Sequence, residues 1–214
     1  VAVAVSGGKI YAFGGSGNLA TNQEYDPATN SWVTKAPMNI GRAYAGAAVV
    51  GAKIYVLGGN GGNTVNEEYT PAANTWVTKT PMPTGRSSPG VAASGGKVFA
   101  FGGYTVVDAQ NDEYDPATDT WTQRTALPTS RLYPEAAAVG GKIYVVGGMG
   151  GYTVNEEYDP GVATKFTALA PNTSYSFKAK ARNVSAVETS ESPVISTYTL
   201  AALPGQPAVG ASTF

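Results

Sequence analysis

The chain contains no cysteine and no histidine. These two absences exclude more chemistry than any motif present supplies. Without Cys there is no disulfide, no thiolate for zinc and no cysteine nucleophile. Without His there is no imidazole for a Ser-His-Asp triad, for copper or for most zinc chemistry. Charge is also scarce: Lys, Arg, Asp and Glu make up 14% of the 214 residues, with a formal net charge of −1. An average soluble domain carries roughly 25%. No Lys/Arg cluster forms a stripe that would neutralise phosphates, so nucleic acid is not an expected partner. No apolar run approaches the roughly 20 residues of a membrane span. The chain opens directly in a strand-like run, Val1–Val5, which reads as a processed start rather than as a leader.

What the chain has is 27 Gly, 14 Pro and 13 Tyr, set among abundant Val, Thr and Ala. That composition points to all-β structure with short turns. The glycines recur at fixed places. Gly14-Gly15 returns as Gly58-Gly59, Gly102-Gly103 and Gly147-Gly148, at steps of 44, 44 and 45 residues. Lys9, Lys53, Lys97 and Lys142 keep those steps, as do Tyr25, Tyr69, Tyr114 and Tyr158. Trp32, Trp76 and Trp121 follow, and Arg42, Arg86 and Arg131 complete the set. A fixed period of this length marks a repeat architecture.

Each unit reads as four short strands. In the second unit these are Ala45 to Val50, Lys53 to Leu57, Asn66 to Thr70 and Trp76 to Lys79. A tight turn, Pro71-Ala72-Ala73-Asn74, joins the last two; its counterparts are Asp26 to Asn30 and Asp115 to Asp119. Pro presets one backbone angle there, and Asp or Asn accepts a local hydrogen bond. Four antiparallel strands per ~40–50 residues is one β-propeller blade. The small first strand suits the crowded axis, and the Tyr and Trp residues belong further out. Approximate blade bounds are 1–38, 39–83, 84–128 and 129–163.

The segment Glu67-Glu68-Tyr69, Trp76, Pro81-Met82, Arg86, Gly95-Gly96-Lys97 and Gly102-Gly103 resembles the kelch motif. The resemblance spans about residues 1 to 160. It implies a kelch-type β-propeller, which usually has six or seven blades. Four units leave open an incomplete ring, a compact closure, or an assembly sharing blades between chains. The fourth copy departs from the pattern, because Lys165, beside Phe166, stands at the spacing of the Trp. From about Thr164 the period breaks. Phe166 to Asn183 resembles the second half of a fibronectin type III domain, with Tyr175, Phe177, Ala179 and Ala181 on one strand face. A partial β-sandwich segment is thus expected over 164–200, followed by a linker or further module over 201–214.

Arg42, Arg86 and Arg131 are expected to serve the scaffold. Each would pair with the repeated acid (Glu24, Glu68, Glu113 or Glu157) or with turn carbonyls, because a residue present in every blade supports the blade. Trp32, Trp76 and Trp121 are structural on the same ground. Specificity belongs to positions that vary. Two residues after each Arg stand Tyr44, Ser88 and Tyr133. The kelch resemblance implies that residues here line the mouth of the central channel and contact ligand. The loops after the double glycines reach the same end with Ser16, Asn18, Asn60, Asn63, Tyr104, Met149 and Tyr152. Tyr, Ser and Asn suit a contact surface, since rings give area and amides give adaptable hydrogen bonds.

Catalysis has little to stand on. The carboxylates that might form a glycosidase pair, Asp26, Asp115 and Asp159, fall at turn positions. No catalytic residue, metal or cofactor is expected. Asn172-Thr173-Ser174 and Asn183-Val184-Ser185 match the glycosylation acceptor pattern. Kelch blades followed by a fibronectin-like segment resemble extracellular multimodular bacterial proteins. The expectation is therefore a non-enzymatic binding, adhesion or structural module at the cell surface, with a protein or glycan ligand and self-assembly through blade edges. An intracellular kelch-type adaptor and a sugar mutarotase on a kelch scaffold are the alternatives.

Overall fold

The computed structural model describes residues 1–60, 64–104, 109–149 and 153–161, and the backbone alone of Phe166–Ala168, Ser174–Phe177 and Ile195–Tyr198. The chain divides into two units, Val1–Ala168 and Leu169–Phe214. Among the described residues no helix is long and apolar enough to cross a membrane.

The first unit consists of four blades, each an antiparallel four-stranded meander. Blade 1 is β1 (Ala2–Ser6), β2 (Lys9–Phe13), β3 (Asn22–Asp26) and β4 (Ser31–Thr34). Blade 2 is β5 (Gly46–Val50), β6 (Lys53–Leu57), β7 (Asn66–Thr70) and β8 (Thr75–Thr78). Blade 3 is β9 (Gly90–Ser94), β10 (Lys97–Phe101), β11 (Asn111–Asp115) and β12 (Thr120–Arg124). Blade 4 is β13 (Glu135–Val139), β14 (Lys142–Val146), β15 (Asn155–Tyr158) and β16 (Phe166–Ala168).

The first strands β1, β5, β9 and β13 lie innermost and line a narrow channel with Ala4, Ala47, Ala48, Ala92, Ala136 and other small residues. Crowding there is severe. A Cβ added at Gly46 would come within 2.3 Å of Val91.

The second strands are apolar on both faces, and in β6 and β10 both faces are covered. Ile54 and Val56 of β6 pack on Tyr11 and Phe13 of blade 1. Tyr55 and Leu57 of the same strand pack on Val98, Ala100 and Tyr114 of blade 3. Phe99 and Phe101 meet Ile143, Val145 and Tyr158 of blade 4 in the same way. Three buried clusters thus join four blades, and among the described residues no such cluster joins blade 4 to blade 1.

A polar clamp repeats at the rim. Asn74 stands in left-handed backbone at φ 54°. Its Oδ1 accepts from the Tyr69 hydroxyl at 2.8 Å and from the Ala36 N–H of the preceding blade at 2.9 Å. Trp76 Nε1 donates to the carbonyl of that same Ala36 at 2.8 Å. Blade 3 repeats the device on Thr80 with Tyr114, Asp119 and Trp121. Trp76 and Trp121 are thus struts between blades.

Two expectations about the C-terminal side change. Phe166–Ala168 is the fourth strand of blade 4, with Tyr158 paired to Phe166 as Tyr114 is to Trp121. Phe166 follows Tyr158 by one residue more than Trp121 follows Tyr114, yet it takes the tryptophan's place in register, and blade 4 runs past residue 163. The partial β-sandwich is not shown. Its described part is one antiparallel pair, β17 (Ser174–Phe177) with β18 (Ile195–Tyr198), and the rest of the fibronectin-like segment and of 201–214 lies outside the described residues.

Candidate functional site

The arginines that precede each inner strand are fully buried, at 0% for Arg42 and Arg131 and 1% for Arg86. Their acidic partners differ from the expected ones by one residue. Arg42 pairs with Glu67 and Arg86 with Asp112, while Arg131 lies 3.0 Å from Glu156. The expected Glu24, Glu68 and Glu157 point from the opposite face of their strands. Glu24 takes Lys9 at 2.7 Å and the Tyr11 hydroxyl at 2.8 Å, and Glu68 and Glu157 repeat the pattern with Tyr55 and Tyr144. In blade 3, where Phe99 replaces the tyrosine, Glu113 instead takes Arg124 at 2.7 and 3.0 Å.

The guanidinium groups also collect backbone carbonyls. Arg86 donates to Ala100, Gly102 and Gln110, and Arg131 to Val145, Gly147 and Val154. Arg42 donates to Ile40 and Val56. Burial pushes the Arg86 and Arg131 guanidinium groups below their ordinary range, and the carboxylates of Asp112 and Glu156 oppose that shift. With no exposed guanidinium, this ring offers no free anion site.

Each buried arginine fixes the segment that follows it. Tyr44, Ser88 and Tyr133 all stand in left-handed backbone, at φ 58°, 50° and 57°. For an L-residue this costs roughly 1–2 kcal/mol, so the surroundings must hold it. They do so by zipping neighbouring loops together. The Ser88 N–H donates to the Tyr44 carbonyl at 2.7 Å, and Asn60 N–H to Ala43 at 2.9 Å. Ser87 and Tyr104 exchange backbone bonds, as do Leu132 and Met149. The double glycines permit the approach. Gly59 lies at φ 99°, and a Cβ there would meet the Ala43 carbonyl at 2.5 Å.

The result is a cavity of about 380 Å³ at one end of the channel. Tyr44, Ser88 and Tyr133 line it together with Val1, Val3, Pro89, Pro134 and Glu135. Tyr44 and Tyr133 are 56% and 41% exposed. The Tyr133 ring stacks on Tyr104, with centroids 5.8 Å apart and planes 7° from parallel. Asn18 and Asn60 adjoin the site as supports. Asn18 Oδ1 accepts the Ala43 N–H at 3.2 Å, and Asn60 Oδ1 accepts from the Ser87 hydroxyl at 2.6 Å. Met149 is held beside Leu132 and is 49% exposed. Ser16 is exposed and does not line the cavity. Asn63 and Tyr152 lie outside the described residues.

Sequence reasoning missed Glu135 and the two prolines. Their signal was present, since Pro89 and Pro134 follow Ser88 and Tyr133 directly and stiffen the chain into the inner strand.

Residues 1–160 match the family model of the KLHDC2/KLHL20/DRC7 Kelch-repeats domain. The chain belongs to the kelch-repeat family. Among solved structures, this kelch chain is similar to one described as "Structure of YjhT", with a TM-score of 0.68 and 19% sequence identity. The match covers 79% of this chain and 64% of that one, and at this identity it shows the fold alone. No curated protein sequence matches. A kelch propeller is typically a protein-interaction module, and the fold described above is a kelch propeller.

Proposed function

We propose that this chain is an extracellular, non-enzymatic binding module whose ligand, a protein segment or a glycan, sits on the channel mouth at Tyr44, Ser88 and Tyr133. The observation that carries the reading is the contrast between backbone and side chain at these positions. The backbone is the same in three blades, held left-handed by a buried arginine before it and loop hydrogen bonds around it. The side chains differ between blades, and the two tyrosines are exposed while Ser88 is half-buried, so the tyrosines serve something other than the scaffold. Two tyrosines present rigid amphipathic area with little rotamer entropy to lose, which is what contact surfaces favour. The extracellular setting is supported by the fibronectin-like resemblance of the C-terminal segment.

The test is binding to peptide and glycan arrays by wild type and by Tyr44→Ala/Tyr133→Ala. We expect wild-type signals to fall at least tenfold in the double variant. If it binds as wild type does, the channel mouth is not the site. The family match favours a protein ligand over a glycan. A secretion leader upstream in the gene would separate the surface module from an intracellular adaptor. Anomerisation of aldoses followed by NMR at no more than the background rate would remove the mutarotase reading.

A further inference from the structure

The repeat departs from its own pattern at one position inside the channel mouth. The inner strands begin, in equivalent register, with Ala2, Gly46, Gly90 and Glu135, paired across to Phe13, Leu57, Phe101 and Val146. Three blades hold the smallest residues there, and in two of them the reason is steric. A Cβ added at Gly46 would meet Val91 at 2.3 Å, and one at Gly90 would meet the Pro134 carbonyl at 3.2 Å. Blade 4 instead places a carboxylate at this point, exposed and lining the cavity with Tyr44 and Tyr133. A residue that builds the blade recurs from blade to blade, and this one does not.

The charge of Glu135 is also left without an answer. Every lysine and arginine among the described residues lies in an ion pair with a carboxylate. Those pairs, and the Gly161 N–H that donates to Asp159, occupy every other described carboxylate. Glu135 has neither an ion pair nor a hydrogen bond to its side chain among the described residues. No lysine or arginine lines the cavity. The mouth thus carries one uncompensated carboxylate, shared with the exposed rings of Tyr44 and Tyr133.

A carboxylate beside open tyrosine rings attracts a cation by two routes. A guanidinium or ammonium donates charge-assisted hydrogen bonds to the carboxylate. The ring faces attract the same charge through their quadrupole. An anionic ligand would meet a like charge here, which disfavours it. The cavity volume of about 380 Å³ is that of a cleft for a small group, so it admits a side chain rather than a folded surface. We infer that the ligand of the channel mouth is a protein segment that presents an arginine or lysine side chain to Glu135 and the two tyrosines. The inference rests on the channel mouth being the binding site, and it adds the charge of what binds there.

The experiment uses the full chain on an array of acetylated, amidated peptides, which carry no terminal charge. Each sequence appears with arginine, lysine, citrulline or glutamate at its central position. Citrulline keeps the shape of arginine without the charge. Wild type is expected to favour the arginine or lysine form over the citrulline form by about tenfold, and the glutamate form to bind least. The arginine and lysine forms together show which cation is preferred. Glu135→Gln, nearly isosteric and neutral, is expected to lose the preference. Glu135→Gly, which installs the residue of blades 2 and 3, is expected to lose it too, and circular dichroism checks that both variants are folded. Tyr44→Ala/Tyr133→Ala separates this inference from the reading beneath it. If the double variant loses binding while wild type takes citrulline as well as arginine, the mouth remains the site and the cation is overturned. The same holds if Glu135→Gln keeps the preference. If the double variant binds every form as wild type does, the channel-mouth reading fails and this inference with it. Absence of any signal from arginine and lysine peptides also overturns it.

Discussion

Removing one partner of the Arg86–Asp112 pair should destabilise the blades in a way that depends on which partner is removed. Both side chains are fully buried and both carry hydrogen bonds beyond the pair. Asp112→Ala strands a guanidinium that still has carbonyl acceptors but no counter-charge. Breaking a buried pair this way costs about 3–5 kcal/mol. For a domain of this size that lowers Tm by roughly 6–20 °C, at about 2–4 °C per kcal/mol. Arg86→Leu strands a carboxylate instead and frees the carbonyls of Ala100, Gly102 and Gln110. At pH 7 its cost is similar or larger. The two differ in pH dependence. A stranded Asp112 can take up a proton, whereas a stranded Arg86 cannot lose one. In Arg86→Leu the carboxylate is buried without a counter-charge, which favours its protonated form. The native state then binds more protons than the unfolded state, so the penalty grows as pH rises and shrinks as pH falls. Urea melts of wild type and both variants at pH 7 and pH 5 give the test. The deficit of Arg86→Leu relative to wild type should be smaller at pH 5, and that of Asp112→Ala should not change. A cost under about 1 kcal/mol for both variants, or a pH dependence confined to Asp112→Ala, would refute the reasoning.

Gly59→Ala should cost clearly more than Gly95→Ala, since both sit at positive φ but only Gly59 has a carbonyl within 2.5 Å of the added Cβ; equal thermal shifts would contradict this. Wild-type stability should fall steeply below the usual carboxylate range. The Lys9 ammonium holds the Glu24 carboxyl low, and Arg124 and Lys97 hold Glu113 low against the opposing effect of its burial. Stability from such depressed carboxylates is complete above their unfolded pKa of about 4.3 and is lost as pH falls through the lower folded values. An acid titration by circular dichroism that shows no loss down to pH 2 would count against it. Tyr44→Gly should be more stable than Tyr44→Ala by up to about 1 kcal/mol, because glycine adopts left-handed backbone freely; urea melts in the reverse order would show that the backbone there is not under strain.

Most of the architecture was legible because repetition exposes it. The strands expected in blade 2 agree with β5 to β8 to within one residue, since the Gly-Gly, Tyr, Trp and turn markers bracket each strand. The arginine partners were misplaced for a physical reason. Glu67 and Glu68 are adjacent in β7, and adjacent strand residues face opposite sides. Spacing along the chain cannot tell one from the other. The Phe166 register was hidden by one additional residue after Tyr158, which shifts the spacing by one and leaves Lys165 where the aromatic was sought.

The channel mouth was legible only in part, because a repeat advertises its scaffold and conceals its site. Blades of one period must share the residues that build a blade, so symmetry identifies Arg42, Trp76 and Asn74 as struts. What it cannot supply is the use of the positions where symmetry lapses. There the backbone supplies the missing step. Left-handed φ at Tyr44, Ser88 and Tyr133 costs stability that glycine would spare, and the double-glycine loops show that this chain places glycine freely where conformation alone decides. Two bulky aromatics at such a position, exposed and facing one cavity, are the ground on which we propose the channel mouth as the site. Strain at an exposed, variable residue is thus the feature that separates the candidate site from the scaffold around it.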